Sequence, residues 1–164
     1  MTQLESLIRE FEKEAITTRK MLSIIPSDKF EWRPHPKSMT VKSLATHIAE
    51  LPTWIGMVLH TDELDFESSP YTPVDLKNTN ELVAYFEKCL EDGRKQLATA
   101  REDQMDKPWT LRSGKTIYST EPKRDVLRMT VSQIIHHRAQ LGVFLRLLNV
   151  PIPGSYGPSA DETF

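Results

Sequence analysis

Apolar residues recur at helical spacing in four stretches of the chain, so the sequence predicts four long helices. Each stretch places apolar side chains three or four positions apart, as residues on one face of a helix must be. Proline-containing segments separate the first two stretches and follow the last one, where they limit how far each helix extends. The predicted helices are residues 3–25, 40–60, 78–101 and 124–148.

Two interruptions modify this helical pattern. Pro52 lies inside the second stretch, where it removes the hydrogen bond to the Ile48 carbonyl, so we expect a kink there. Between residues 107 and 123 the pattern alternates around a Ser113–Gly114 turn, which predicts a short hairpin or an extended loop. The sequence therefore predicts an all-α fold, a four-helix bundle with this hairpin or loop before the last helix.

Size and composition are those of a globular domain. The 164 residues fit one domain, residues 1–164, with 38% hydrophobic and 27% charged residues. The 21 Lys and Arg against 23 Asp and Glu give a net charge of -2, which argues against a nucleic-acid surface. No signal peptide is visible, and no apolar stretch approaches the roughly 20 residues that span a bilayer. With Cys89 as the single cysteine, we expect a cytoplasmic protein that binds neither membranes nor nucleic acid.

Two histidines flank the apolar faces of different predicted helices. His47 lies at the edge of the buried stripe of the second helix, and His137 flanks that of the fourth. By the same projection His60 points to the surface, and His136 diverges from His137 by about 100°. Inward imidazoles from two packed helices are one way in which bundles build metal centres, although an inward histidine is also an ordinary hydrogen-bonded core residue.

Two segments of the sequence resemble signatures of the DinB-like superfamily. They are EWRPHPKSMTVKSLATHIAEL, beginning at Glu31, and HHRAQLGVFLRLL, beginning at His136, followed by PIP and YGPSADE. The resemblance implies a four-helix bundle of the DinB/YfiT-like type, often a homodimer, that holds a divalent metal through three histidines. His47 matches the ligand on the second helix and His137 the last ligand. The middle ligand falls at Gln133, where an amide replaces the imidazole.

The resemblance implies a metal-dependent enzyme, because relatives include transferases and isomerases that use bacillithiol, mycothiol or glutathione. We therefore expect a thiol S-transferase or hydrolase with a divalent metal such as zinc or nickel, and a low-molecular-weight thiol as cosubstrate. With Gln133 as a poor third ligand, the metal should bind weakly. Glu50 could accept a hydrogen bond from His47 or act as a general base; otherwise it is a solvated helix residue. The alternative is a non-catalytic binding or stress-response module with a degenerate metal site.

The fourth predicted helix carries two further features. A second apolar strip of Met129, Val143 and Leu147 exceeds what a monomeric bundle needs, which predicts a homodimer. Arg138 projects into the buried stripe, where a guanidinium needs a carboxylate partner. Asp161 or Glu162 could supply that carboxylate if the tail folds back over the bundle; otherwise the Arg138 side chain extends to the surface.

Overall fold

The computed structural model describes residues 2–163, which form five α-helices and a three-stranded sheet. The helices are α1 (Gln3–Ser23), α2 (Val41–Glu50), α3 (Trp54–His60), α4 (Thr79–Thr99) and α5 (Lys123–Leu147), and the strands are β1 (Glu63–Asp65), β2 (Pro108–Ser113) and β3 (Thr116–Pro122). Helices α1, α4 and α5 match three of the predicted helices within a few residues. The second predicted helix is divided into α2 and α3.

The division of the second helix lies at the proline. Leu51–Thr53 forms a single 3-10 turn between α2 and α3, with Pro52 at its start. On α4, Gly93 allows the chain to pass closely, because a Cβ at this position would lie 2.8 Å from the Pro52 carbonyl oxygen. The kink therefore packs directly against a helix that has no side chain at the point of contact.

The sheet corrects the expected all-α fold. Strands β2 and β3 form an antiparallel hairpin, and Gly114 adopts a φ of 54° in its turn, a conformation that glycine accepts without strain. Strand β1 pairs in parallel with β2, with Glu63 opposite Thr110. The alternating pattern predicted the hairpin, but β1 is only three residues long and its partner lies far along the chain, so it gave no periodic signal.

Side-chain caps fix the starts of α1, α2 and α4. The Thr40 hydroxyl accepts a hydrogen bond from the Ser43 amide at the start of α2. The Asn78 side chain accepts one from the Glu81 amide at the start of α4. Asn149 follows α5 with a φ of 58°, a left-handed conformation that ends the helix before Pro151.

The core lies between α1, the bent pair α2 and α3, α4, and α5. Its largest fully buried side chains are Phe11, Leu22, Leu44, Ile48, Leu51, Ile55, Leu82, Phe86, Leu90, Leu127, Leu141 and Leu145. They come from all five helices, and burying each contributes roughly 1.5–3 kcal/mol to folding before the loss of chain entropy. Within residues 2–163, every helix is too short or too polar to cross a bilayer.

A buried lysine connects the end of α3 to the start of α5. Lys123 is 3% exposed, and its Nζ donates hydrogen bonds to the carbonyl oxygens of Leu59 (3.3 Å) and Thr61 (2.7 Å). These carbonyl oxygens and the Asp62 carboxylate, 3.3 Å from Nζ, thus compensate a positive charge at the N-terminus of α5, where a cation is otherwise unfavourable. Trp109 of β2 donates its Nε1–H to the Thr61 hydroxyl at 3.0 Å. These contacts fix the origin of the loop that carries the pocket residues described next.

Candidate functional site

His47 and His137 meet between α2 and α5. Their ring centroids are 4.9 Å apart and the rings lie edge to face. His47 Nδ1 lies 2.7 Å from Glu50 Oε1, and His137 Nδ1 lies 3.1 Å from Gln140 Oε1. Because a carboxylate oxygen and an amide oxygen are acceptors, each Nδ1 donates, and in the neutral form of each ring the Nε2 lone pair is then available. The predicted convergence of His47 and His137 is therefore seen in the structure, whereas their role as metal ligands stays a prediction.

Glu50 is the buried acidic group of this site. It is 8% exposed, and the Tyr71 hydroxyl lies 2.9 Å from each of its carboxylate oxygens. Glu50 is three residues from His47 on α2, so helical geometry places the two side chains on one face. The observed contact with His47 agrees with the expected acceptor role and excludes the solvated alternative.

A cavity of about 480 Å³ opens above Glu50. Its walls and floor include His47, Glu50, Trp54, Met57, Phe66 and Tyr71, and we call it the Glu50 pocket. α2 and α3 supply the first four of these residues, and the segment after β1 supplies the last two. Among the described residues, His137 does not line this pocket. The pocket therefore borders the His47 ring on the side that faces Glu50. Its volume is typical of a site for a small organic molecule.

The electrostatic setting of the pocket follows from its burial and from the charge of Glu50. Burial raises the pKa of Tyr71 above its ordinary value, and the hydrogen bond to Glu50 raises it further. Burial also raises the pKa of Cys89 and raises that of Tyr85 to about 12, with smaller contributions from Glu50. Tyr71 therefore remains a neutral hydrogen-bond donor, and Cys89 a protonated thiol, at neutral pH.

His137 has a different environment from an exposed histidine. Burial lowers its pKa, and the nearby His47 and His136 rings lower it further, whereas the hydrogen bond to Gln140 acts in the opposite direction. The neutral form, with its free Nε2, is therefore favoured. His136 is exposed, but its ring centroid lies 5.0 Å from that of His137. The expected divergence of this pair on the helix therefore does not keep their rings apart.

The third predicted ligand position lies one helical turn before His137. Gln133 is half-buried on α5. Across residues 2–163, there is no group of three His, Cys, Asp or Glu side chains arranged to hold a metal ion. The side chains that could hold an ion here are the two imidazoles and, one helical turn before His137, the Gln133 amide, whereas a closed zinc centre usually has four good donors. His60 is exposed and lies 2.6 Å from Gln96 Oε1, away from this site.

A second buried polar cluster surrounds Arg138. Arg138 is 2% exposed, and its Nη2 lies 2.6 Å from Oε2 of Glu14, which is 5% exposed. The expected partners Asp161 and Glu162 are therefore wrong: Asp161 pairs with Arg146, and Glu162 with Lys20. The alternative of a surface-directed Arg138 is also wrong.

The tail, the segment that follows α5, nevertheless folds back over α1 and α5. This agrees with the expectation of a tail that covers Arg138. Tyr156 donates its hydroxyl hydrogen to Glu14 Oε1 at 2.7 Å. Ser155 accepts a hydrogen bond from Arg138 at 3.1 Å. We call Glu14, Arg138 and Tyr156 the tail cluster. Sequence patterns missed Glu14 and Tyr71, because a glutamate among the charged residues of α1 and a tyrosine in a polar loop both resemble surface residues.

Comparisons with known proteins agree over nearly the whole chain. The DinB family model matches residues 1–163. The protein YrdA of Bacillus subtilis is 22% identical over 163 residues, covering 97% of this chain and 91% of its own length.

Solved structures show the same fold at low sequence identity. A DinB-like protein of Bacillus cereus superposes with a TM-score of 0.72 at 18% identity, covering 95% of this chain and 100% of its own. One of Bacillus subtilis gives 0.71 at 16% identity, with 92% and 97% covered. A mutant of a mycothiol-dependent maleylpyruvate isomerase gives 0.54 at 18% identity, covering 85% of this chain and 60% of its own. At these identities the similarity is one of fold.

Proposed function

Because the chain belongs to the DinB family, we propose that it is a metal-dependent enzyme of the thiol S-transferase or hydrolase type. The observation that carries this proposal is the convergence of two imidazoles whose Nδ1 hydrogens are both donated to oxygen acceptors. His47 and His137 would hold a divalent ion such as zinc or nickel through Nε2, with Gln133 as a weak third ligand. Such an ion lowers the pKa of a bound water or thiol and so supplies a nucleophile at neutral pH.

The chain's own residues have defined roles in this proposal. Glu50 accepts the Nδ1 hydrogen of His47, which fixes the tautomer and the orientation of the ring. Gln140 does the same for His137. Trp54 and Met57 exclude water from one wall of the Glu50 pocket, where the substrate would bind. A low-molecular-weight thiol is the proposed cosubstrate, and the fold shared with the mycothiol-dependent isomerase supports that choice.

The second candidate is a non-catalytic binding or stress-response module, and Gln133 favours it. An amide oxygen is a poorer ligand for zinc than an imidazole nitrogen, so a metal site inherited from an enzyme would have lost affinity here. Metal present well below one equivalent, after purification from metal-replete medium, would support this candidate over the enzyme.

Replacing Gln133 with histidine tests the metal proposal. Gln133→His adds an imidazole one turn before His137, and we expect zinc or nickel to bind at least about tenfold more tightly, or about 1.4 kcal/mol. Calorimetric titration measures this affinity, and a metal-dependent rise in melting temperature should accompany it.

Three variants control this experiment. His47→Ala should abolish the gain, whereas His60→Ala and His35→Ala change exposed histidines and should preserve it. Equal affinity of wild type and Gln133→His would show that position 133 does not converge with the two histidines, and the metal proposal would then be abandoned.

A further inference from the structure

The carboxylate of Glu50 has no permanent positive charge beside it in the Glu50 pocket. Among the described residues that line this pocket there is no lysine or arginine. The hydrogen bonds to the Glu50 carboxylate come from the His47 imidazole and the Tyr71 hydroxyl. A buried carboxylate without a cationic partner is costly, so the pocket favours a ligand that brings positive charge.

The walls of the pocket suit the body of such a ligand. Trp54, Phe66 and Tyr71 present aromatic rings, and Met57 and Leu64 add apolar surface. Aromatic faces attract cations and also bury apolar groups. A ligand with an ammonium group on an apolar body would therefore be stabilised through both its charge and its apolar surface. A carboxylate ligand would instead be repelled by Glu50.

Tyr71 occupies the position at Glu50 that a ligand donor would take. Its hydroxyl contacts both carboxylate oxygens, yet the residue is 61% exposed and belongs to the irregular segment between β1 and α4. Its side chain can therefore leave the carboxylate without disturbing a helix or strand. Its contact with Glu50 shows that the carboxylate can accept another donor besides His47.

We propose that Glu50 recognises the ammonium group of a small amine with an apolar body, and that the Tyr71 hydroxyl fills this position in the free protein. The ligand's N–H groups replace the Tyr71 O–H at the carboxylate, and its body lies against Trp54 and Phe66. This site lies on the Nδ1 side of His47, whereas the proposed metal would bind at Nε2. The inference goes beyond the proposed function and does not require a metal.

Three probes with the same ring and different charge test the proposal on the full-length protein in the presence of a chelator. Benzylamine, benzyl alcohol and benzoate are titrated by calorimetry or by nuclear magnetic resonance. We expect benzylamine to bind roughly tenfold or more tightly than benzyl alcohol, because hydrogen bonds between charged groups are the stronger ones. Benzoate should bind most weakly. Equal affinities, or a preference for benzoate, would overturn the proposal.

Two variants with matched controls locate the effect. Glu50→Gln should remove the preference for benzylamine, whereas Glu63→Gln, at an exposed carboxylate on β1, should preserve it. Tyr71→Phe should strengthen benzylamine binding by roughly threefold, because the competing hydroxyl is gone. Tyr118→Phe, at a tyrosine of similar exposure (59%), should have no effect.

The Tyr71 variant separates this proposal from its simplest alternative. Weaker benzylamine binding by Tyr71→Phe would show that the hydroxyl contacts the ligand directly, which contradicts displacement. If Glu50→Gln does not fold, two results still test the proposal. They are the order in which the three probes bind to the wild type, and whether Tyr71→Phe strengthens or weakens benzylamine binding. Because a chelator is present, failure of the metal proposal would leave these outcomes unchanged.

Discussion

The Glu50 pocket and the tail cluster are built from similar parts. In each, a helix places a glutamate in a buried position, and an irregular segment supplies a tyrosine hydroxyl that hydrogen-bonds to it: Tyr71 to Glu50 and Tyr156 to Glu14. They differ in the other partner of the carboxylate. Glu14 contacts Arg138, whose charge is permanent, whereas Glu50 contacts His47, which can be neutral.

This difference separates a structural ion pair from a site that can take a ligand. Arg138 neutralises Glu14 and also donates to the Glu14 carbonyl oxygen and to the Thr18 hydroxyl. No hydrogen-bond donor in the described residues is aligned with Glu14 Oε2, so its interaction with Arg138 is mainly ionic. At Glu50 the charge remains uncompensated by any arginine or lysine lining the pocket. The same residue type therefore forms an ion pair in one place, and in the other it is the carboxylate that we propose to bind a ligand.

Matched glutamate substitutions should give the largest contrast between the two clusters. Glu14→Gln leaves the Arg138 charge buried without its carboxylate, so we expect it to lower the free energy of unfolding by about 3–5 kcal/mol. Glu50→Gln removes an uncompensated charge and keeps an acceptor for His47, so its effect should stay within about 1 kcal/mol. Urea denaturation at neutral pH measures both. Equal losses would show that Glu50 is part of an equally structural network.

The pH dependence of stability just below neutral pH should come from His137. Because the folded state lowers the pKa of His137, the unfolded chain binds more protons, and stability should fall as the pH falls below about 6.5. Carboxylates with lowered pKa values, such as Asp161 beside Arg146, lose their contribution only at more acidic pH.

Thermal unfolding across this range, with a chelator present, measures the effect. We expect His137→Gln to flatten the dependence, whereas His60→Gln, at an exposed histidine, should not. A slope that survives in His137→Gln would assign the proton uptake to another group.

Substitutions on the surface beside the tail cluster should have the smallest effect on stability and the clearest effect on dimer formation. Val143 and Leu147 of α5 are 60% and 59% exposed, and we expect this strip to form a homodimer interface. Leu147→Asp should therefore give a monomer without changing the helical content, whereas Ile117→Asp, at an apolar residue 61% exposed on β3, should remain dimeric. A wild-type mass near 18.9 kDa by light scattering would refute the dimer.

The features that could be predicted from sequence are those that repeat along a helix. Apolar periodicity located the long helices and placed His47 and His137 on facing surfaces, because the helical repeat also fixes the direction in which each side chain points. It could not find which polar side chains of different elements pair with one another. Tyr71 reaches Glu50 from a loop, and Glu14 meets Arg138 across 124 positions of sequence. Such pairs depend on the path of the chain between elements, which local patterns do not specify.

The reactivity of the Lys123 amine can be used to follow local opening of the fold. The amine is almost fully buried against the end of α3, so an acylating reagent in water cannot reach it while those helices remain together. Exposed lysines such as Lys95 and Lys115 would be modified first. The rate at which Lys123 is labelled therefore measures how often the start of α5 separates from the end of α3, where the loop that carries Phe66 and Tyr71 begins.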